Sequence, residues 1–192
     1  MFDRFFGSRN AAPSVAPTAS RPVTPLPSAD GDTATVRRIV AKLEAMPVEQ
    51  ARLVASAAYT LARAANADLS ISDEETAAIE RELQAHEALD EATAVLVTEM
   101  AKLQAKTVGG TEDYVVTREF KALATQDQKI QVLRACFAIG AANGTISAEE
   151  TAVVNEIAGE LDIDDATLNI IRADYHEQLS SVQEIRRVTG AA

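Results

Sequence analysis

The residues best suited to chemistry lie in two short acidic stretches that are copies of one another. Residues 68–79 run Asp-Leu-Ser-Ile-Ser-Asp-Glu-Glu-Thr-Ala-Ala-Ile, and residues 143–154 run Asn-Gly-Thr-Ile-Ser-Ala-Glu-Glu-Thr-Ala-Val-Val. At an offset of 75, six of the twelve positions are identical: Ile71/Ile146, Ser72/Ser147, Glu74/Glu149, Glu75/Glu150, Thr76/Thr151 and Ala77/Ala152. Each copy offers two oxygen donors about one turn apart, Asp68 with Glu75 and Asn143 with Glu150. Such donors suit a hard divalent cation, calcium or magnesium rather than zinc. The standard EF-hand loop does not fit. A twelve-residue loop begun at Asp68 ends on Ile79, and one begun at Asn143 ends on Val154, where a bidentate Glu belongs. A cation here would need a shorter arrangement to which both turns contribute.

The same glutamates also have a structural role. Ser72 with Glu75, and Ser147 with Glu150, have the spacing of capping boxes, in which the serine hydroxyl takes the N3 amide and the glutamate returns to the cap amide. The acidic first turns Asp73-Glu74-Glu75 and Glu149-Glu150 also suit the positive end of a helix dipole. Capping does not account for Asp68 or Asn143, four residues ahead of each cap. Those two fit either ligands or turn formers next to a left-handed backbone.

The elements that must position these turns are helices. Each copy follows one apolar helical pattern and opens another, so the repeat unit is helix, acidic turn, helix. Scarce aromatics, no Trp and abundant Ala, Glu and Leu point to an all-α fold. The first helix is expected after Asp32, up to about Met46, with Val36, Ile39, Val40 and Leu43 on one face and Pro47 as its break. Helix 2 is expected from about Val48 to Ala65, burying Leu53, Val54, Ala57, Ala58 and Leu61. Helix 3 should run from about Asp73 to Ala85, followed by a loop or frayed end containing His86. Helix 4 is expected to be capped by Asp90 and to bury Val95, Leu96, Met100 and Leu103. Gly109-Gly110 breaks the chain between the two copies. Helix 5 is expected from about Glu112 to Ala124, presenting Val116, Phe120 and Leu123. Helix 6 is expected to be capped by Asp127 and to bury Ile130, Leu133, Cys136 and Phe137, with Gly140 allowing close approach. Helix 7 should bury Val153, Val154, Ile157 and Leu161. Helix 8 is expected to run unbroken from Asp164 to about Arg186 through Leu168, Ile171, Tyr175, Leu179 and Val182.

Bulk properties exclude several functions. The net charge of −11 would repel a phosphate backbone, so direct nucleic-acid binding is not expected. One cysteine, Cys136, rules out an internal disulfide framework; within an apolar stripe it reads as an inert core thiol. With only His86 and His176 besides, a Cys/His zinc site is excluded. No apolar run approaches the roughly 20 residues of a membrane span, and no secretory h-region is evident, so a cytoplasmic location is expected. No nucleophile–base pair, glycine-rich phosphate loop or general acid/base pair emerges, so an enzyme is not expected. Residues 1–31 hold five of the six prolines and read as a Pro/Ser/Ala-rich arm, with 32–187 as the helical domain and 188–192 as a tail. The arm carries three basic and two acidic side chains, leaving −12 on the remainder. Within Met1–Gly7, Phe2, Phe5 and Phe6 fall at helical spacing near Arg4 and Arg9. That segment reads as a frayed end, with peripheral membrane contact or docking on a partner as alternatives.

The twofold pattern of an apolar helix, a D/N-containing turn, Ser-x-Glu-Glu and a second apolar helix resembles the TerB family of tellurite-resistance-associated proteins. The second copy carries the likeness furthest. It runs through Val132-Leu133-Arg134, Ala141-Ala142-Asn143-Gly144, Glu149-Glu150, Glu156-Ile157-Ala158 and Leu161-Asp162-Ile163-Asp164, and Tyr175-His176-Glu177-Gln178-Leu179 is also similar. The likeness covers roughly 33–187. It implies an all-helical bundle of about seven or eight helices in two pseudo-symmetric halves. It also implies a divalent-cation site drawn from Asp68 and Glu75 of one half and Asn143 and Glu150 of the other. The role implied is a non-enzymatic module in metal, tellurite or envelope stress, working through protein partners. The alternative is a purely structural or interaction module whose acidic turns are only caps. The chain departs from the family pattern where Asp-Gly is split between the copies, as Asp68-Leu69 and Asn143-Gly144. The amide removes one charge from a shared site, and Leu69 would strain a left-handed backbone.

Overall fold

The computed structural model describes residue 37, residues 40–86, 89–107 and 111–190. The Met1–Gly7 segment, the arm, the start of the first helix and the Gly109-Gly110 break lie outside the described residues. Residue 37 and residues 40–45 are helical and form the described part of α1. Then come α2 (Val48–Ala65), α3 (Asp73–His86), α4 (Glu91–Thr107), α5 (Thr111–Leu123), α6 (Gln126–Gly140), α7 (Ala148–Glu160), α8 (Asp165–Asp174) and α9 (Ser180–Thr189). A single 3-10 turn, His176–Gln178, separates the last two. No strand is present among the described residues; one isolated parallel bridge joins Ile146 and Leu179.

Helix α2 is the axis of the bundle and packs against α3, α4, α5, α6 and α7. Its composition allows this. Ala57, Ala58, Ala62, Ala64 and Ala65 are all buried, so neighbouring helices approach closely on several sides. The hydroxyls of Ser56 and Thr60 would be costly to bury unpaired. They bond back to the carbonyls of Arg52 (2.7 Å) and Ser56 (2.8 Å), which removes most of that cost. The core shared with α2 holds Ile79 and Leu83 of α3, Phe120 of α5, Leu133 and Phe137 of α6, Ile157 of α7 and Ile171 of α8, each at 1% exposure or less. Fully burying side chains of this size is worth about 1.5–3 kcal/mol each.

The two copies of the repeat fold alike. α2 and α3 flank the first acidic turn as α6 and α7 flank the second, and the halves exchange contacts, α2 on α7 and α3 on α6. The expected bounds of helices 2 and 3 match to within a residue.

Three expectations are corrected. Helix α4 buries Thr93, Ala94, Val97, Thr98 and Ala101, whereas Val95, Met100 and Leu103 are exposed. Its contacts with α2 and α3 select a face of small side chains, and the larger apolar residues are turned outward. The N-cap of α6 is Thr125, not Asp127. Thr125 Oγ1 accepts from Gln128 N, and Gln128 Oε1 accepts from Thr125 N, a complete capping box. The long final helix is broken at Tyr175. There the chain turns so that Gln178 O accepts from Ile146 N (2.7 Å) and Ser180 N donates to Ile146 O (2.9 Å). This bridge satisfies the backbone of the buried Ile146 in the second acidic turn, which an unbroken helix could not do. Tyr175 instead stacks on Phe137, centroids 5.6 Å apart.

Candidate functional site

Each acidic turn is built by the same set of hydrogen bonds. At the end of α2, Asn66 N donates to Ala62 O and Leu69 N to Asn66 O; at the end of α6, Ala141 N donates to Phe137 O and Gly144 N to Ala141 O. All four distances are 2.9 Å. Asp68 Oδ1 then accepts from Ser70 N (2.9 Å), and Asn143 Oδ1 from Thr145 N (3.0 Å). An amide oxygen thus replaces a carboxylate oxygen without altering the turn. The next residue is left-handed in both copies, Leu69 at φ 67° and Gly144 at φ 94°. The strain expected at Leu69 is therefore present. Gly144 adopts this conformation at little cost, whereas Leu69 brings its Cβ close to the following carbonyl.

The capping boxes also form. Ser72 N donates to Glu75 Oε2 (2.7 Å) and Glu75 N to Ser72 Oγ (3.2 Å). In the second copy Ser147 N donates to Glu150 Oε2 (2.7 Å) and Glu150 N to Ser147 Oγ (3.0 Å). Thr76 and Thr151 repeat a further bond, hydroxyl to the cap carbonyl, at 2.8 Å in each.

Capping boxes usually sit at the surface, but these two are turned inward. Glu75 and Glu150 are each only 3% exposed, and their carboxyl groups are within hydrogen-bonding reach of one another between the two halves. Gly140 at the end of α6 makes room for them: a Cβ there would stand 3.3 Å from Glu150 Oε1. The close approach expected at Gly140 is thus made by a carboxyl group and by Ile146, not by the backbone of another helix. The Glu150 carboxyl is pushed up to about 7. Burial is the main cause, opposed by the Ser147 hydrogen bonds and reinforced by the bond to, and charge of, Glu75. Two buried carboxyls in contact favour a state that shares a proton, because two adjacent charges in a low dielectric repel strongly.

The four sequence-derived site residues therefore fall into two groups. Glu75 and Glu150 are brought together and buried; Asp68 and Asn143 are exposed at the turn tips, each with its Oδ1 engaged by the turn. Among the described residues, no group of three or more His, Cys, Asp or Glu side chains is arranged to hold a metal ion.

Sequence reasoning missed a second polar centre at Arg63. The side chain is 10% exposed on α2. It reaches Glu160 (2.7 Å) and Glu156 (3.1 Å) of α7, and Thr117 Oγ1 (3.1 Å) and Asp113 (3.9 Å) of α5. Tyr59 also donates to Asp113 at 2.5 Å. Burial alone would lower the pKa of this guanidinium, but the surrounding carboxylates, Glu160 foremost, raise it. The available signal was the spacing of four on three helices: Tyr59/Arg63, Asp113/Thr117 and Glu156/Glu160. Cys136 is buried, and burial drives its thiol up to about 12, in keeping with an inert core residue. His86 closes α3 beside Glu82 (3.2 Å), and His176 is exposed at the 3-10 turn.

A family model described as tellurite resistance protein TerB matches residues 53–173. That span takes in both acidic turns, the Glu75–Glu150 pair and the whole Arg63 centre. No curated protein and no solved structure matches the chain.

Proposed function

The chain belongs to the TerB family, and on that premise we propose that it is a non-enzymatic helical module of metal, tellurite or envelope stress. It works through protein contacts, with the Glu75–Glu150 pair as the point where a divalent cation or a proton is held between its halves. The observation that carries this reading is the contact between two buried carboxyl groups, one from each half, both within the family match. The donor set supports calcium or magnesium over zinc, because it is oxygen only. Ionised, the pair carries two charges of the sign that a divalent ion balances, and no basic group is among the main influences on Glu150. Glu75 and Glu150 would hold the ion. Water or partner oxygens would complete its shell, since the tips bearing Asp68 and Asn143 are exposed and part-engaged. No helix of the described residues is long and apolar enough to cross a membrane.

A second reading, in which the turns are caps and the protein is a metal-free interaction module, is favoured by the complete capping boxes. Metal-free protein titrated with calcium, magnesium and manganese at pH 7.5, followed by melting temperature, separates the two. The cation reading expects stabilisation of about 2–3 kcal/mol at a hundredfold excess over Kd, lost in Glu75→Gln and Glu150→Gln. No shift at millimolar cation would leave the caps as the whole role of the turns.

A further inference from the structure

The internal repeat offers a comparison within the chain, and it singles out a groove. Between α1, α2 and α4 lies an open apolar groove of about 270 Å3, walled by Leu43 and Met46 of α1, Val54 and Tyr59 of α2, and Val97 and Met100 of α4. The rest of its lining is alanine apart from Gln104. At the offset of 75 that relates the two halves, Leu43, Met46, Val54, Tyr59 and Val97 correspond to Arg118, Lys121, Lys129, Arg134 and Arg172. In the second half these charged side chains are exposed or half-buried, while Met100 corresponds to Tyr175. In the first half the same positions are apolar: Val54, Tyr59 and Val97 are buried, and Leu43 and Met46 are half-buried along the groove. Met100, 59% exposed at the groove's edge, is an adaptable contact residue of the kind found in sites that receive an apolar segment.

What covers the groove is indicated by the chain that leads into its wall. Residues 1–36 lie outside the described residues and join directly onto α1, whose Leu43 and Met46 line the groove. That segment carries Phe2, Phe5 and Phe6, three of the five phenylalanines of the protein, and no other aromatic. These three follow the i, i+3, i+4 spacing with which a short helical turn presents an apolar face. The roughly 30 residues between Phe6 and α1 span about 30 Å as a random chain, and more where proline extends it. The groove is thus within easy reach. Tethering supplies an effective concentration on the order of millimolar, so even a contact of millimolar strength would be about half formed within one chain. We propose that the groove between α1, α2 and α4 is the docking site of the Phe2–Phe6 segment of this same chain.

The protein has no tryptophan, which makes Phe5→Trp in the full chain a probe without background. Docking predicts a blue-shifted emission that does not change over a hundredfold dilution. Ala55→Arg or Met100→Glu, at exposed positions on the groove, should move the emission to that of a fully hydrated indole while leaving helicity intact. Independently, Met46 and Met100 are two of only three methionines, and their methyl NMR signals should lose ring-current shifts in the Phe2→Ala/Phe5→Ala/Phe6→Ala variant, whose folded domain is untouched. Hydrated emission in the parent, or methionine signals indifferent to the phenylalanines, overturns the proposal. So does a blue shift lost on dilution, which would mean docking onto a second copy. A blue shift seen only with phosphatidylglycerol vesicles would assign the segment to a membrane surface and overturn it equally.

Discussion

Replacing Glu150 by Gln tests the central pair directly. The folded carboxyl titrates at about 7, against 4.5 for the group in its ordinary surroundings. Between those two values the folded protein keeps a proton that the unfolded chain has released. Stability is therefore fully present below pH 4.5 and is lost as pH rises through 7. A shift of this size corresponds to at most about 3 kcal/mol, and since the titration belongs to the pair, a loss of roughly 1–3 kcal/mol between pH 5 and 8 is expected. For a domain of this size that is about 3–10 °C in melting temperature. Glutamine should remove the loss without removing the cap. Gln128 already closes the capping box of α6 in this protein, so an amide oxygen at the third position can serve. The side-chain NH2 introduced by Glu150→Gln would also supply Glu75 with the hydrogen bond that a protonated Glu150 gives. The assay is urea denaturation in EDTA at pH 5, 6, 7 and 8. The variant should be nearly flat over this range, equal to the parent at pH 5 and more stable at pH 8. Equal slopes for parent and variant, or a parent that gains stability from pH 5 to 8, would refute the shared-proton account.

Leu69→Gly should stabilise the protein by about 0.5–1 kcal/mol in denaturant melts. It relieves a left-handed leucine that is 85% exposed and loses little packing, offset in part by the added freedom of glycine in the unfolded chain. The reciprocal Gly144→Ala should destabilise by about 1 kcal/mol, and a Leu69→Gly variant weaker than the parent would show that Leu69 makes a contact that outweighs its strain. Arg63→Met should cost about 3–5 kcal/mol by leaving Glu160 and Asp113 without their buried cation, with a smaller loss for Arg63→Lys. Urea midpoints of the two variants at pH 7 would check both the size and the order.

The all-α class, the bounds of helices 2 and 3 and the two capping boxes were legible because each depends on residues a few positions apart. Apolar spacing of three and four marks a helix, and Ser-x-x-Glu marks its start, whatever surrounds them. The face that a helix buries is decided by its neighbours. Val95, Met100 and Leu103 look like a core stripe in sequence. The contacts of α4 with α2 and α3 chose Thr93, Ala94, Val97 and Thr98 instead. The break at Tyr175 was equally illegible, because it lets Gln178 and Ser180 answer a backbone requirement at Ile146, more than thirty residues away from them in sequence but adjacent in space.

The sequence by itself determined that the chain contains two equivalent acidic turns, with Glu75 and Glu150 in matching caps and a mismatch at Leu69 and Gly144. These are local properties of chain and side chain, fixed by hydrogen bonds spanning three or four residues. Only the tertiary structure decided that the two glutamates face each other in a buried centre while Asp68 and Asn143 stay at the surface. The physical reason is the pseudo-symmetric packing of α2 on α7 and α3 on α6. It sets the inner face of each cap against the other and turns the tips toward solvent.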